Sequence, residues 1–142
     1  MDYPKRIVCL TEETTETLYA IGAEDRIVGI YGFTVRPERA RQEKPKVSAF
    51  TSAKIGRILE LEPDLVLGFS DMQADIAAEL VRAGVAVHIF NHRTVDGILS
   101  MIRTLGGMLG LHDHTEPYAD ELASRVEAIR AKQAQGPRPR VY

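Results

Sequence analysis

Tryptophan is absent from this chain of 142 residues, and cysteine occurs once, as Cys9. A single cysteine excludes an internal disulfide, and its place inside the apolar run Ile7–Leu10 indicates a small buried hydrophobe rather than a reactive thiol. No apolar run approaches the roughly 18 residues of a membrane-spanning helix. The 18 basic residues nearly balance the 20 acidic ones, which argues against a nucleic acid as partner.

Motifs that carry catalysis are missing as well. A dinucleotide-binding turn needs G-x-G-x-x-G after the first strand, whereas the turn here reads Thr11-Glu12-Glu13-Thr14 and carries two negative charges. No P-loop, nucleophile elbow or zinc-protease motif occurs. His112-x-His114 has a spacing found in metal sites, but no Cys or carboxylate partners of matching spacing accompany it. The sequence therefore predicts neither catalytic residues nor a metal site.

The most informative stretch runs from Ile55 to Ser70, IGRILELEPDLVLGFS. Its apolar residues first recur at helical spacing, Pro63-Asp64 then breaks the helix, and Leu65–Phe69 is an apolar run of strand length. A helix, a tight corner and a buried strand form half of a βαβ unit, which favours a parallel sheet. Ligands of such sheets bind beyond the carboxyl ends of the strands. The first candidates for ligand contact are therefore Phe69, Ser70 and Asp71.

The whole chain shows the same alternation, which predicts an α/β fold class. We expect a Rossmann-like lobe with a mostly parallel sheet of about four strands flanked by helices. The predicted strands are Arg6–Leu10, Ile27–Ile30, Leu65–Phe69 and Val85–Phe90, with Val47-Ser48 as a short extended piece. Thr11 and Thr94 are the predicted caps of the helices that follow them.

A long amphipathic helix is predicted near the end of the chain, from Thr115 to about Gln135. Thr115-Glu116-Pro117 supplies capping chemistry at its start, and Gly136-Pro137 ends it. The following residues look like the beginning of another strand. The predicted organisation is therefore an α/β lobe at residues 1–114, a long helix at 115–136 and the start of a missing second lobe at 137–142.

Four local motifs carry a family resemblance. Thr15-Glu16 with Leu18–Gly22 is similar to a "TE-L-YALG" segment, Asp25–Gly29 to "D-IVGV", Ile58–Val66 to "IL-LKPDLV", and Ala83–Val85 to "GI-V". With the order of elements, they resemble the N-terminal lobe of substrate-binding proteins that serve ABC importers of cobalamin, ferric siderophores and haem. The resemblance covers essentially the whole chain but only half of a family member, in which a long helix joins two lobes.

The resemblance implies that the protein captures cobalamin or a related metal chelate for import. The ligand is then the only small molecule expected, with no separate cofactor. In members similar to cobalamin binders, aromatic residues pack on the corrin at three loops, and the matching residues here are Phe33, Phe50 and Phe69. The polar candidates around them are Thr34, Arg36, Thr51, Ser70, Asp71 and His92. Thr11 and Glu12 are expected at the rim, where helix capping is an equally good interpretation.

Several alternatives stay open. Arg36 and Arg93 would suit the carboxylates of a ferric citrate-type siderophore, and His92 would suit an axial metal contact in a haem-like ligand. Three aromatics and few clustered cations favour cobalamin among these ligands. A ligand-free interaction or dimerisation module would use the same exposed phenylalanines, which makes a homodimer an alternative. A chelatase-like enzyme is the least favoured hypothesis.

The resemblance also bears on the transport partner and the compartment. Family members commonly carry an acidic residue on the exposed helix before the "IL-LKPDLV" segment, where it docks to arginines of an ABC permease. Gly56 stands at the matching position, and neither Glu60 nor Glu62 is in register with it. The family implies a periplasmic or extracytoplasmic location, while the lack of a secretory signal in Met1–Leu10 leaves the cytoplasm as the alternative.

Overall fold

The computed structural model describes residues 2–141. The chain divides into two compact units between Arg93 and Thr94. The first unit contains a sheet with its connecting helices, and the second contains two consecutive helices. None of the helices within residues 2–141 is both long enough and apolar enough to cross a membrane.

A parallel sheet organises the first unit. Its strands are β1 (Ile7–Cys9), β2 (Ile27–Tyr31), β3 (Lys46–Ser48), β4 (Leu65–Phe69) and β5 (Val87–Phe90). The strand order is β3-β2-β1-β4-β5, and every neighbouring pair is parallel. The predicted fold class is confirmed, although the sheet has five strands rather than about four. The additional strand is β3, which was predicted only as an extended piece and pairs with β2 at the sheet edge.

The helices of the first unit connect these strands. They are α1 (Glu12–Ala20), α2 (Ala40–Glu43), α3 (Ile55–Glu60) and α4 (Ala74–Arg82), with single 3-10 turns at Glu24–Arg26 and Asp71–Gln73. Asp71–Gln73 is therefore a 3-10 turn that leads directly into α4. Such crossovers bring parallel strands side by side and leave all their carboxyl ends at one edge of the sheet.

Apolar side chains from strands and helices form the core of this unit. Ile58 of α3 and Leu80 of α4 join a buried cluster with Val8, Val47 and Val66 of the strands. The lone thiol of Cys9 is fully buried, as predicted. Burial raises the pKa of Cys9 to about 11 because the charged thiolate loses its hydration.

The second unit consists of α5 (Val95–Leu109) and α6 (His112–Gln133). The Thr94 hydroxyl accepts a hydrogen bond from the Gly97 amide, which confirms the predicted cap of α5. Gly110 ends α5 in the left-handed conformation, with φ at 65°, where glycine is favoured. Arg103 of α5 forms ion pairs with two acidic residues of α6, Glu116 at 2.9 Å and Asp120 at 2.6 Å.

The long helix begins earlier than predicted and ends close to the predicted point. It begins at His112 and not at Thr115, and it ends at Gln133, near the predicted Gln135. The Thr115 hydroxyl donates to the Leu111 and His112 carbonyls, as an interior helix residue does, and does not cap the helix. Residues 137–141 form no strand, and the last residue of that predicted segment, Tyr142, lies outside the described residues. The division at 1–114, 115–136 and 137–142 stays a prediction.

Candidate ligand-binding site

The predicted site residues follow the ends of the strands. Thr11 comes after β1, Phe33 after β2, Phe50 after β3, Ser70 after β4 and His92 after β5. Because all neighbouring strands are parallel, these residues lie along one edge of the sheet, here called the carboxyl edge. Open parallel sheets bind their ligands along this edge.

Phe69 is the centre of an aromatic and charged cluster at this edge. The His92 ring lies 4.8 Å from the Phe69 ring, measured between centroids, and the Arg93 guanidinium carbon lies 5.0 Å from the same centroid. Arg93 also reaches Asp71 at 3.8 Å. Buried Phe90 lies behind His92, with 6.5 Å between their ring centroids. These five residues are called the Phe69 cluster.

His92 contributes a polar atom without a partner. Its Nδ1 is buried and forms no hydrogen bond with the part of the chain that the structure describes. A buried polar atom of this kind costs free energy unless something pairs with it. The imidazole therefore offers the Phe69 cluster a hydrogen-bonding group beside its apolar rings.

Ser70 forms the turn that exposes Asp71. Its φ is +64°, an uncommon value for a residue other than glycine. The Ser70 amide donates to the Phe90 carbonyl, and its hydroxyl accepts from the Met72 amide. Ser70 itself is only 3% exposed. Its role as a polar ligand contact stays a prediction, and its hydroxyl also accepts a hydrogen bond inside the turn.

Gln73 connects three segments of the carboxyl edge and was not among the predicted site residues. Its side-chain oxygen accepts from the Phe69 amide at 2.9 Å, and its side-chain nitrogen donates to the carbonyls of Leu10 at 3.2 Å and Phe50 at 3.0 Å. The residue is fully buried. Gln73 lies three residues before Ile76, a spacing that helical periodicity assigns to one apolar face. A glutamine in such a position was the signal that could have identified it.

Gly68 makes room for Gln73. A Cβ at this position would lie 2.6 Å from Gln73 Oε1 and 2.7 Å from Ile89 Cδ1, closer than real Cβ contacts. A glycine in a strand often marks such a close approach. Gly68 and Gln73 together set the positions of Phe50 and Phe69.

The three predicted phenylalanines lie outside the core. Phe33 is 65% exposed and contacts Tyr31, with 5.6 Å between ring centroids. Phe50 and Phe69 are partly buried, and Thr51 beside Phe50 is exposed. The structure links Phe50 to Phe69 through Gln73, whereas Phe33 lies with Tyr31 at the end of β2. The fourth phenylalanine, Phe90, is buried.

Glu12 holds the loop after β2 in place. Its Oε1 accepts from the amides of Val35 at 3.3 Å and Arg36 at 3.2 Å. Arg36 is exposed and reaches Glu16 at 3.7 Å. Thr34 is fully buried and donates to the Tyr31 carbonyl. The predicted ligand contact of Thr34 is corrected, because its hydroxyl has no free surface.

Charged side chains also stabilise the later part of the loop after β2. The Arg41 guanidinium donates to the carbonyls of Gly32 and Thr34. Arg39 pairs with Glu24 at 2.7 Å, and this hydrogen bond holds the pKa of Glu24 below its ordinary value. The loop that carries Phe33 is therefore anchored at several points.

Thr11 follows β1, and its side chain does not cap α1. Its backbone is extended at the start of α1, yet its side chain makes no capping hydrogen bond. Thr11 is 3% exposed, and its Oγ1 is buried without a partner in residues 2–141. The capping interpretation is wrong for Thr11 because its hydroxyl does not reach the free amides of the first turn.

Two cavities open beside these residues. One of about 360 Å³ is lined by residues at the ends of β2 and β3, including Phe33 and Ser48. Another of about 570 Å³ extends from Ser70 and Asp71 along α4. Small-molecule sites commonly have volumes in this range.

Metal-binding clusters are not part of the described structure. Within residues 2–141, no group of three or more His, Cys, Asp or Glu side chains could hold a metal ion. His112, singled out by its spacing to His114, instead lies 3.6 Å from the Glu116 carboxylate on α6.

Comparison with known proteins adds independent information. A family model described as periplasmic binding protein matches residues 7–142. A cobalamin-binding protein of Halobacterium salinarum is 27% identical over 143 residues, which cover 98% of this chain and 39% of that protein. A vitamin B12-binding protein of Vibrio campbellii is 27% identical over 129 residues, covering 90% of this chain and 46% of the relative. The chain thus spans less than half of either relative.

Solved structures show the same fold in several binding proteins. A periplasmic haem-binding protein of Pseudomonas aeruginosa matches with a TM-score of 0.84 and 25% identity, over 96% of this chain and 50% of that one. The periplasmic vitamin B12-binding protein of Vibrio cholerae matches with a TM-score of 0.84 and 24% identity, over 95% of this chain and 53% of that one. At this identity the second likeness concerns the fold alone.

Proposed function

Because this chain belongs to the periplasmic binding protein family, we propose that it captures cobalamin or a closely related corrinoid at the carboxyl edge for ABC-type import. The family is one of binding proteins and not of enzymes. The chain corresponds to about half of its relatives, and in the proposed arrangement it supplies one side of the ligand site.

The Phe69 cluster is the observation that carries this proposal. A corrin is a large, flat ring system, and such ligands are held mainly by apolar and aromatic contact with a few orienting polar groups. Phe69 offers a ring supported by His92 and Arg93, and Gln73 ties it to the segment that carries Phe50. His92 Nδ1 and Asp71 are polar groups of the same cluster that could orient the ligand.

The two candidate arginines favour a corrinoid over a ferric carboxylate siderophore. Arg93, in the Phe69 cluster, and Arg36, on the loop after β2, each already lie near an acid, Asp71 at 3.8 Å and Glu16 at 3.7 Å. The ring periphery of cobalamin carries neutral amides, which need no such cations. The two relatives described above are named as binders of cobalamin and of vitamin B12.

Titration calorimetry with the 142-residue chain tests the proposal. Cyanocobalamin is the ligand, and a ferric siderophore and haem are the comparison ligands. Saturable heat with cyanocobalamin alone is the expected result. Saturation by the siderophore or haem with no heat from cyanocobalamin would reject the corrinoid assignment, and heat from none of them would reject ligand capture by this chain.

Truncating Phe69 should weaken corrinoid binding. We expect Phe69→Ala to raise the Kd for cyanocobalamin at least about tenfold, because a well-placed aromatic contact contributes roughly 1–3 kcal/mol. Tyr3→Ala is the matched control, since Tyr3 is a 49% exposed aromatic residue that precedes β1 at the opposite edge of the sheet. Equal affinities for both variants and the parent chain would show that the corrin does not rest on Phe69.

The proposed partner is the permease of an ABC importer, which the protein would meet on the outer side of the cytoplasmic membrane. Gly56 stands where the family members described above carry the acidic residue that docks to the permease. It is exposed near the start of α3, and a Cβ there would meet nothing within 4 Å. No packing or backbone requirement therefore explains the glycine. Docking through this lobe would have to use other residues of α3 or its surroundings.

A second function is supported by one observation. Phe33 is 65% exposed and Val35 is 57% exposed on the same loop. An apolar loop of this kind also suits a protein interface, so a dimerisation module is the second candidate. Cyanocobalamin binding by the monomer at low protein concentration would argue against it.

A further inference from the structure

The cavity beside Phe33 has a chemistry of its own. It has a volume of about 360 Å³ and lies between the carboxyl ends of β2 and β3. Its lining includes Gly32, Phe33, Lys46, Ser48, Ser52 and Lys54, and no acidic residue. The Phe69 cluster follows β4 and β5 along the same carboxyl edge.

The charges of this cavity are not neutralised. Within residues 2–141, neither Lys46 nor Lys54 forms an ion pair. In contrast, Lys5 pairs with Asp2, and Lys44 donates to the Glu24 carbonyl. Two lysines without an ion pair in that part of the chain line one cavity, which favours a positive potential there in a chain whose net charge is −2.

One of the lining residues carries a hydroxyl without a partner among residues 2–141. Ser48 lines the cavity, and its Oγ is buried without a hydrogen-bond partner in the described part of the chain. A hydroxyl can donate one hydrogen bond to an anionic oxygen. Hydrogen bonds to a charged group are the stronger ones, so an anion would satisfy the Ser48 side chain as well as the two lysines.

Backbone hydrogen bonds hold the walls of the cavity in place. The Gly32 amide donates to the Ser48 carbonyl at 2.8 Å, the Ala49 amide to the Ser52 carbonyl at 2.8 Å, and the Lys54 amide to the Val47 carbonyl at 2.9 Å. A Cβ on Gly32 would lie 2.9 Å from the Ser48 carbonyl oxygen. A preorganised site loses less entropy when a ligand enters.

We propose that this cavity receives the phosphodiester of a complete corrinoid, and so distinguishes cobalamin from corrinoids that lack this group. The inference rests on the proposed function and assigns a second subsite to the same ligand. Lys46, Lys54 and the Ser48 hydroxyl would contact the single anionic group. The Phe69 cluster would hold the uncharged ring system.

Paired titrations test this subsite. The parent chain and the double variant Lys46→Gln/Lys54→Gln are each titrated with cyanocobalamin and with dicyanocobinamide, which keeps the corrin but lacks the phosphodiester and nucleotide. We expect the double variant to lose about tenfold in affinity for cyanocobalamin, as loss of a charge-assisted contact predicts, and to bind dicyanocobinamide unchanged. Lys5→Gln removes the same charge at the opposite edge of the sheet and should alter neither affinity.

The other outcomes of these titrations would overturn either the subsite or the proposed function. Equal losses for both ligands would overturn the subsite, because the lysines would then act on the ring or on the fold. Unchanged binding of both would overturn it too, while leaving the proposed function standing. Failure of the parent chain to bind either corrinoid would reject the proposed function itself. Saturable binding of inorganic phosphate, without competition against cyanocobalamin, would identify a separate anion site.

Discussion

Replacing Gly68 by alanine is expected to lower the free energy of unfolding by about 3 kcal/mol. The added Cβ would lie 2.6 Å from Gln73 Oε1 and 2.7 Å from Ile89 Cδ1. Overpacking of a buried site typically costs 1–3 kcal/mol. Displacing Gln73 would in addition leave its buried hydrogen-bonding partners unpaired, at about 1–3 kcal/mol for such a loss.

Urea denaturation of the variant measures this change, and its ligand affinity should change with it. Gln73 joins the segments that carry Leu10, Phe50 and Phe69, so its displacement also loosens the proposed corrin surface. Gly56→Ala is the matched control, because a Cβ at Gly56 meets nothing within 4 Å. We expect that control to be as stable as the parent chain or slightly more stable. A Gly68→Ala variant of parental stability and affinity would mean that Gln73 does not position the site.

Replacing Gly106 by alanine should have an effect of similar size in the second unit. A Cβ on Gly106 of α5 would overlap Thr115 Oγ1 of α6 and lie 2.7 Å from Thr115 Cβ. Thr115 is fully buried and its hydroxyl is bonded to the α6 backbone, so it cannot turn aside easily. We expect a loss of about 2–3 kcal/mol, reduced by the better helix propensity of alanine.

Exchanging the glycine between the two helices tests whether the overlap with Thr115 causes the loss of stability. Adding Thr115→Gly to Gly106→Ala moves the glycine to the facing helix and removes the overlapping atoms. Thermal and urea unfolding of the four chains in this double-mutant cycle should give a favourable coupling of about 1–2 kcal/mol. Additive losses would contradict the close approach of α5 and α6 at this point.

Much of the fold follows from periodicity, because apolar residues at strand and helix spacing record which faces are buried. Leu65–Phe69 and its preceding helix show this pattern most clearly. The short edge strand β3 was predicted only as an extended piece, since three residues carry too little pattern to identify a strand. The start of α6 was misplaced because Thr115 resembles a cap in sequence, while its hydroxyl is used within the helix.

The candidate site was less predictable, because side-chain roles depend on contacts between distant segments. The phenylalanines at strand ends were identified because a parallel sheet places such residues together. The burial of Thr34 and Ser70 could not be predicted from their loops, since their hydroxyls bond to backbone atoms of turns that only the folded chain forms. The partners of Gln73 could not be predicted either, because they lie up to 63 residues away in the sequence.

Amide NMR spectra of the 142-residue chain, recorded during a titration with cyanocobalamin, show where the ligand lies on the protein. We expect saturable shifts for the amides of Phe50, Phe69 and His92 at the carboxyl edge. The Lys5 and Asp64 amides, which lie at the opposite edge of the sheet where Lys5 donates to the Asp64 carboxylate, should not move. Shifts confined to that opposite edge or to α5 and α6, or no shifts at all, would contradict corrinoid capture at the carboxyl edge.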